Sequence, residues 1–126
     1  MKHLHLGVAL LAAMLFLGIV TAIKMDRIHE PISRDLAQAS QAALEDRWEE
    51  ADRLWKRAAG RWRGNWPLTA SVADHEPMEE IDGLFAELRI YAKQREAEHF
   101  AACCANLSTL TKAMGEAHAI NWWNLL

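Results

Sequence analysis

The sequence predicts an all-α protein in which an N-terminal transmembrane helix precedes an antiparallel up-down-up three-helix bundle. An unbroken apolar run covers residues 4–23, and apolar residues after it recur at intervals of three and four. The connections between these periodic segments are short, which favours antiparallel neighbours. We therefore divide the chain into a membrane anchor (1–25), a juxtamembrane linker (26–32) and a helical domain (33–126).

The apolar run has the length of a membrane span, since about 20 apolar residues cross a bilayer. Its alternative is a signal peptide, because Val20-Thr21-Ala22 is an acceptable cleavage site and cleavage near Ala22 would release a secreted helical protein. A buried soluble helix is the third interpretation. The run is longer than most signal sequences, so we expect an uncleaved single-pass anchor with the domain outside the cytoplasm. The lipid-facing side chains would be Leu4, Leu6, Leu10, Leu11, Leu15, Phe16, Leu17, Ile19, Val20 and Ile23.

The first domain helix is predicted from an N-cap at Ser33 to Arg63, with Gly64-Asn65 ending it. Pro31 favours a linker before it. Capping residues in 71–74 and Pro77 in the first turn predict the start of the second helix. A five-residue step from Ala92 to Ala97 breaks the periodic stripe, which predicts a turn there. A single helix over 78–119 is the alternative. The predicted core residues are Leu44, Trp48, Trp55, Trp62, Ile81, Phe85, Leu88, Phe100, Cys104, Leu107 and Met114.

Charge patterning agrees with a hairpin of the first two domain helices. The basic end of the first, residues 53–63, would lie beside the acidic start of the second, residues 74–87. The net charge of −3 and the lack of a dominant basic face argue against nucleic-acid binding.

Few residues in the sequence suggest a catalytic, metal-binding or ligand-binding site. His75, Glu76 and Glu79 could form a metal or ligand sensor, since His75 and Glu79 are four residues apart and could share a helix face. A solvated acidic helix start is the commoner meaning of such a cluster. Cys104 lies on the apolar stripe, whereas an exposed Cys103 could form an intermolecular disulfide. The helical spacing of the tryptophans Trp48, Trp55, Trp62 and Trp66 indicates buried core residues more often than a surface on which a ligand stacks. The sequence contains no catalytic triad pattern, phosphate-binding glycine loop or Cys-x-x-Cys pair, which predicts a non-enzymatic protein without a cofactor.

The apolar C-terminus completes the pattern. Its candidates for partner contacts are Trp122, Trp123, Leu125 and Leu126. With the anchor, they suggest an interaction module that contacts the lipid bilayer and another membrane or envelope protein, or a second copy of itself.

The chain resembles the small membrane-anchored proteins of domain-of-unknown-function family 4363 from Gram-positive bacteria. The resemblance rests on the N-terminal anchor, the segment from Trp55 to Trp66, the stretch His75-Glu76 with Glu80-Ile81-Asp82, and the ending Asn124-Leu125-Leu126. Pro77 and the Trp122-Trp123 pair depart from the family pattern. The resemblance implies one anchor, a helical extracytoplasmic domain and no known cofactor.

Overall fold

The computed structural model describes the backbone of residues 1–71 and 73–123, and the side chains of residues 1–71 and 73–117. Within these ranges the chain forms four α-helices and no strand: α1 (Lys2–Leu44), α2 (Trp48–Ala70), α3 (His75–Gln94) and α4 (Ala97–Trp123). The all-α class and the long apolar N-terminal helix are confirmed. The domain, however, contains parts of four helices where the sequence predicted three.

The helices alternate in direction around a shared core. Ser33 on α1 hydrogen bonds with Ser108 on α4, and Ser40 donates to the carbonyl of Ala101, so α1 and α4 are antiparallel. Asp35 of α1 contacts Arg57 of α2, and Cys103 of α4 donates to the carbonyl of Leu84 on α3. α1 packs most extensively against α4 and then against α2, whereas α2 and α3 touch least. The result is an up-down-up-down arrangement with an open seam between α2 and α3.

α1 runs without a break from the apolar run into the bundle. The linker predicted over residues 26–32 is helical, and Pro31 lies inside the helix. Proline removes one backbone hydrogen bond at this point. Burial of Met25, His29 and Ile32 on the bundle side of α1 offsets that loss. At 1.5 Å per residue, the 43 residues of α1 extend about 64 Å.

The helix predicted to run from Ser33 to Arg63 is interrupted at residues 45–47. Asp46 has a left-handed backbone (φ 60°), and the amides of Asp46 and Arg47 bond to the carbonyls of Ala43 and Ala42. These two bonds form a Schellman motif, which closes a helix even when no glycine marks its end. Leu44, predicted to lie in the core, is 55% exposed because the chain turns away there.

The turn predicted at Gly64-Asn65 is also wrong, since α2 continues through Gly64 and Pro67 to Ala70. No atom beyond the local helix lies within 4 Å of a Cβ built at Gly64, so this glycine is not required by packing. Trp62 and Thr69 are buried on the inner face, which keeps the last turns helical by tertiary packing.

The structure has two helices over residues 78–119, as the break in the stripe predicts. Arg95 adopts the left-handed conformation (φ 57°), and the Arg95 and Glu96 amides repeat the Schellman pattern with Ala92 and Tyr91. Trp48 is half-buried against the core. The remaining predicted core residues are buried: Trp55, Trp62, Ile81, Phe85, Leu88, Phe100, Cys104, Leu107 and Met114.

Candidate functional site

The outer half of α1 is an exposed apolar surface. Eight of the predicted anchor residues are between 48% and 71% exposed: Leu4, Leu6, Leu10, Leu11, Phe16, Leu17, Ile19 and Ile23. In the part of the chain that the structure describes, α1 is the helix whose length and composition would allow it to cross a membrane. A signal sequence near an N-terminus has the same properties.

One face of this apolar run is nevertheless covered. Gly18 is buried, and Leu15 and Ala22 are half-buried, on the same face as the buried Met25 and His29. These residues are separated by steps of three and four, which is the spacing of a helix packed along a partner helix. The interhelical face of α1 therefore begins inside the apolar run rather than at the edge of the domain.

α1 and α4 approach each other closely at Gly115, near the end of the apolar run. A Cβ at Gly115 would lie 3.3 Å from the Cβ of His29 and 3.7 Å from the Cα of Asp26. The His29 ring is fully buried, with Nδ1 2.9 Å from the carbonyl oxygen of Met25 and its edge toward Trp62 of α2. Three helices thus meet at the level where α1 enters the bundle.

A buried carboxylate clamps α1 to α2. Asp35 is 2% exposed and accepts two hydrogen bonds from Arg57, at 2.8 Å from Nε and 2.7 Å from Nη2. Arg61 adds a third contact at 3.3 Å. Hydrogen bonding to Asp35 raises the pKa of Arg57, so the guanidinium keeps its positive charge. Sequence reasoning missed this pair, since Asp35 was assigned to the first turn of a helix rather than to its buried face.

The seam between α2 and α3 is an open groove of about 510 Å³ with cationic walls. Its lining includes Lys56 and Arg63 from α2, and Arg89, Lys93 and Arg95 around the end of α3. Asp52 is its acidic side chain, and it is already paired with Arg95 at 2.8 Å. The ion pairs predicted between basic residues 53–63 and acidic residues 74–87 are therefore not formed as expected. Arg57 and Arg61 pair with Asp35 of α1 instead, and the side chains that line the α2–α3 groove are mainly cationic.

The floor of the groove is aromatic but covered. Trp55 and Trp62 are 7% and 2% exposed, and their indole N–H groups donate to Asp52 and Asp82 respectively. Trp66 also donates to Asp82. Trp55 and Trp62 are therefore buried core residues with occupied donors, whereas Trp66 is 38% exposed. The charged side chains are the accessible part of the groove.

The candidate metal residues lie elsewhere. His75, Glu76 and Glu79 are exposed at the start of α3. The described residues include no group of three or more His, Cys, Asp or Glu side chains that could hold a metal ion. The geometry is that of a solvated acidic helix start.

Both cysteines are buried, so Cys103 is not the exposed thiol that an intermolecular disulfide would need. Cys103 donates to the carbonyl of Leu84, and burial raises its pKa to about 11. Burial raises the pKa of Cys104 still further. A thiol reacts as its thiolate, so neither side chain has the environment of a reactive cysteine.

The predicted partner contacts Trp122, Trp123, Leu125 and Leu126 lie outside the side chains that the structure describes. The backbone of α4 remains helical through Trp123.

Searches of curated proteins and of solved structures find no match for this chain. A family model does match, over residues 19–125, and it begins inside the apolar run, one residue after Gly18, the first buried residue of α1. The matched segment includes α2, α3 and the described length of α4. The chain therefore belongs to the family described as a domain of unknown function, DUF4363.

Proposed function

We propose that this protein is a single-pass, membrane-anchored interaction module without enzymatic activity, with its bundle on the extracytoplasmic side. The observation that carries the proposal is the continuity of α1: one helix carries an exposed apolar run and, beyond it, a buried face of the bundle. An exposed apolar surface of this length is costly in water but stable in a bilayer.

The α2–α3 groove is the surface that we propose for the partner. Lys56, Arg63, Arg89 and Lys93 line it and form no ion pair in the described structure, so their charges are available to an acidic surface. Exposed complementary charges of this kind accelerate and orient association more than they strengthen it. A membrane or envelope protein with an acidic face is therefore the expected partner.

A second copy fits this groove poorly. The acidic start of α3 (residues 74–80) and its basic end (residues 89–95) are separated by about 14 residues, or about 21 Å along the helix. Two copies anchored in one bilayer stand in the same direction, so the acidic cluster of one cannot reach the height of the basic groove of the other.

Membrane extraction followed by N-terminal sequencing tests the anchor. An intact N-terminus in the carbonate-resistant membrane fraction is expected, whereas a soluble chain beginning after Ala22 would refute the anchored module and favour the secreted form. Protease treatment of intact cells tests the orientation, because an extracytoplasmic bundle should be digested.

Crosslinking from native membranes tests the groove. The variant carries Arg63→Gln, Arg89→Gln and Lys93→Gln, and we expect it to lose the crosslinked partner. The matched control carries Arg27→Gln, Arg34→Gln and Lys112→Gln, which removes the same charge from exposed positions on α1 and α4. Equal crosslinking in the two variants would exclude the groove as the binding surface.

A further inference from the structure

The last turns of α2 reach the height at which the apolar run of α1 ends. The rings of His29 on α1 and Trp62 on α2 meet edge to face, with centroids 6.1 Å apart, so these residues lie at one height. Leu68 is six residues beyond Trp62, and Ile23 is six residues before His29. Because α1 and α2 are antiparallel, Leu68 lies at the height of Ile23, and Trp66 lies about 3 Å nearer to the middle of the bundle.

This height is the boundary between the apolar and polar parts of α1. The apolar run covers residues 4–23, and Lys24 follows it. As a helix the run extends about 30 Å, which is the thickness of the hydrocarbon core of a bilayer. With α1 in the bilayer, Ile23 would lie at the edge of the hydrocarbon, and Leu68 would lie beside the same edge.

Large apolar side chains are exposed at this height. Beyond the apolar run, the large apolar residues that are more than a third exposed in the described part of the chain are Leu44, Trp66, Leu68 and Ile90. Two of these four fall within one turn of α2, and Pro67 between them is also exposed. Since α2 runs antiparallel to the α1 span, side chains on different faces of this turn would contact the same layer of a bilayer.

The polar atom of Trp66 already has a partner. Its indole N–H donates to Asp82 of α3 at 3.2 Å. The exposed part of the ring can therefore contact lipid without leaving the N–H unpaired. Tryptophan is enriched at membrane–water interfaces because it combines an apolar ring with one polar group.

The charges near this turn have both signs. Arg63 is exposed one turn before Trp66, whereas Asp74 and Glu76 are exposed at the start of α3. An anionic lipid surface would therefore find attraction and repulsion together. The contact depends on the apolar side chains, and a zwitterionic bilayer should be sufficient for it.

We infer that Trp66, Pro67 and Leu68 form a bilayer contact of the bundle itself, with Leu68 at the top of the acyl chains and Trp66 in the headgroup layer. This inference rests on the proposed anchoring of α1. The bilayer would then hold the bundle at two points, the α1 span and the last turns of α2, and would restrict its tilt.

Quenching of an attached fluorophore tests the inference. The full chain with Leu68→Cys is labelled with a thiol-reactive fluorophore and reconstituted into phosphatidylcholine vesicles whose lipids carry a nitroxide near the top of the acyl chains. The matched control is Ile90→Cys, because Ile90 is similarly exposed (54% against 47%). Ile90 is eight residues beyond Asp82 on α3, or about 12 Å farther from the proposed membrane. Cys103 and Cys104 are buried, so the unaltered chain should take up little label.

The label at residue 68 should lose most of its fluorescence relative to vesicles without nitroxide, whereas the label at residue 90 should keep it. Equal loss at the two positions would overturn the inference. Flotation of the same vesicles separates this failure from that of the proposed function. A chain that floats but shows no quenching at residue 68 is anchored by α1 without the α2 contact. A chain that does not float refutes both the anchor and the contact.

Discussion

Replacing Gly115 with alanine tests the close packing of α1 against α4. The new Cβ would lie 3.3 Å from the Cβ of His29, 3.7 Å from the Cα of Asp26 and 3.8 Å from the carbonyl oxygen of Met25. All three atoms belong to the helix backbone or to the base of a side chain. None can move aside without a shift of α1 itself.

Two opposing effects set the magnitude. Alanine in place of glycine inside a helix contributes about 1 kcal/mol in favour of folding. Overpacking of a well-packed contact costs about 1–3 kcal/mol. We therefore expect Gly115→Ala to reduce the free energy of unfolding by about 0–2 kcal/mol. Gly60→Ala is the matched control, because nothing lies within 4 Å of its new methyl group, and it should stabilise the fold by about 1 kcal/mol.

The assay is chemical unfolding of the full chain in detergent micelles, followed by circular dichroism at a helical wavelength. The quantity of interest is the difference between the two variants, which should be about 1–3 kcal/mol with Gly115→Ala less stable. If Gly115→Ala stabilises the protein as much as Gly60→Ala does, α1 and α4 are farther apart than the structure shows.

Three further predictions follow from the described contacts. Asp35→Asn should lower the free energy of unfolding by about 2 kcal/mol, since it removes charge-assisted hydrogen bonds from a buried group. Asp52→Asn, at a partly exposed pair, should lower the free energy of unfolding by only about 0–1 kcal/mol, and equal effects of the two variants in chemical denaturation would contradict the clamp. Cys103 should resist iodoacetamide in the folded protein at pH 8 and react once the chain is unfolded in denaturant. Because burial raises its pKa from 9.0 to about 11, the unfolded thiol loses its proton first, so stability should fall as the pH rises from 9 toward 11; a flat profile in a pH-resolved melt would contradict this. Asp46→Gly should raise the melting temperature, with a gain of about 1 kcal/mol, because glycine adopts the left-handed conformation without strain; an unchanged or lower melting temperature would contradict the Schellman turn.

The elements that sequence periodicity predicted well are those whose stripe is long and uninterrupted. Ile81, Phe85 and Leu88 of α3, and Phe100 and Leu107 of α4, are all buried. Helix packing selects one face, and a spacing of three and four identifies that face directly. The turn at Arg95 was found for the same reason, since a change of phase shows where one face ends.

The missed turn at residues 45–47 has a different cause. The stripe from Leu44 through Trp48 to Trp55 keeps its spacing across the break, so periodicity alone predicts a continuous helix. No glycine or proline marks the turn, because Asp46 adopts the left-handed conformation instead. The opposite error occurred at Gly64 and Pro67, which predicted a helix end that the structure does not have. Burial of Trp62 and Thr69 keeps α2 helical despite these two helix-breaking residues. Local signals are weaker than the packing of an inner face.

The sequence also predicted a linker at residues 26–32, where the structure has a continuous helix. Pro31 and the charged residues from Lys24 onward suggested a linker between an anchor and a domain. The buried face of α1 instead passes from Gly18 through Met25 and Ile32 without a change of spacing. A flexible linker would let the bundle rotate freely above the bilayer. With α1 in the bilayer as we propose, a continuous helix would fix both the height and the rotation of the bundle relative to the span, so the α2–α3 groove would face one direction at a set distance from the membrane. A partner anchored in the same bilayer would then approach this groove by lateral diffusion, and complementary charges would steer and orient the encounter.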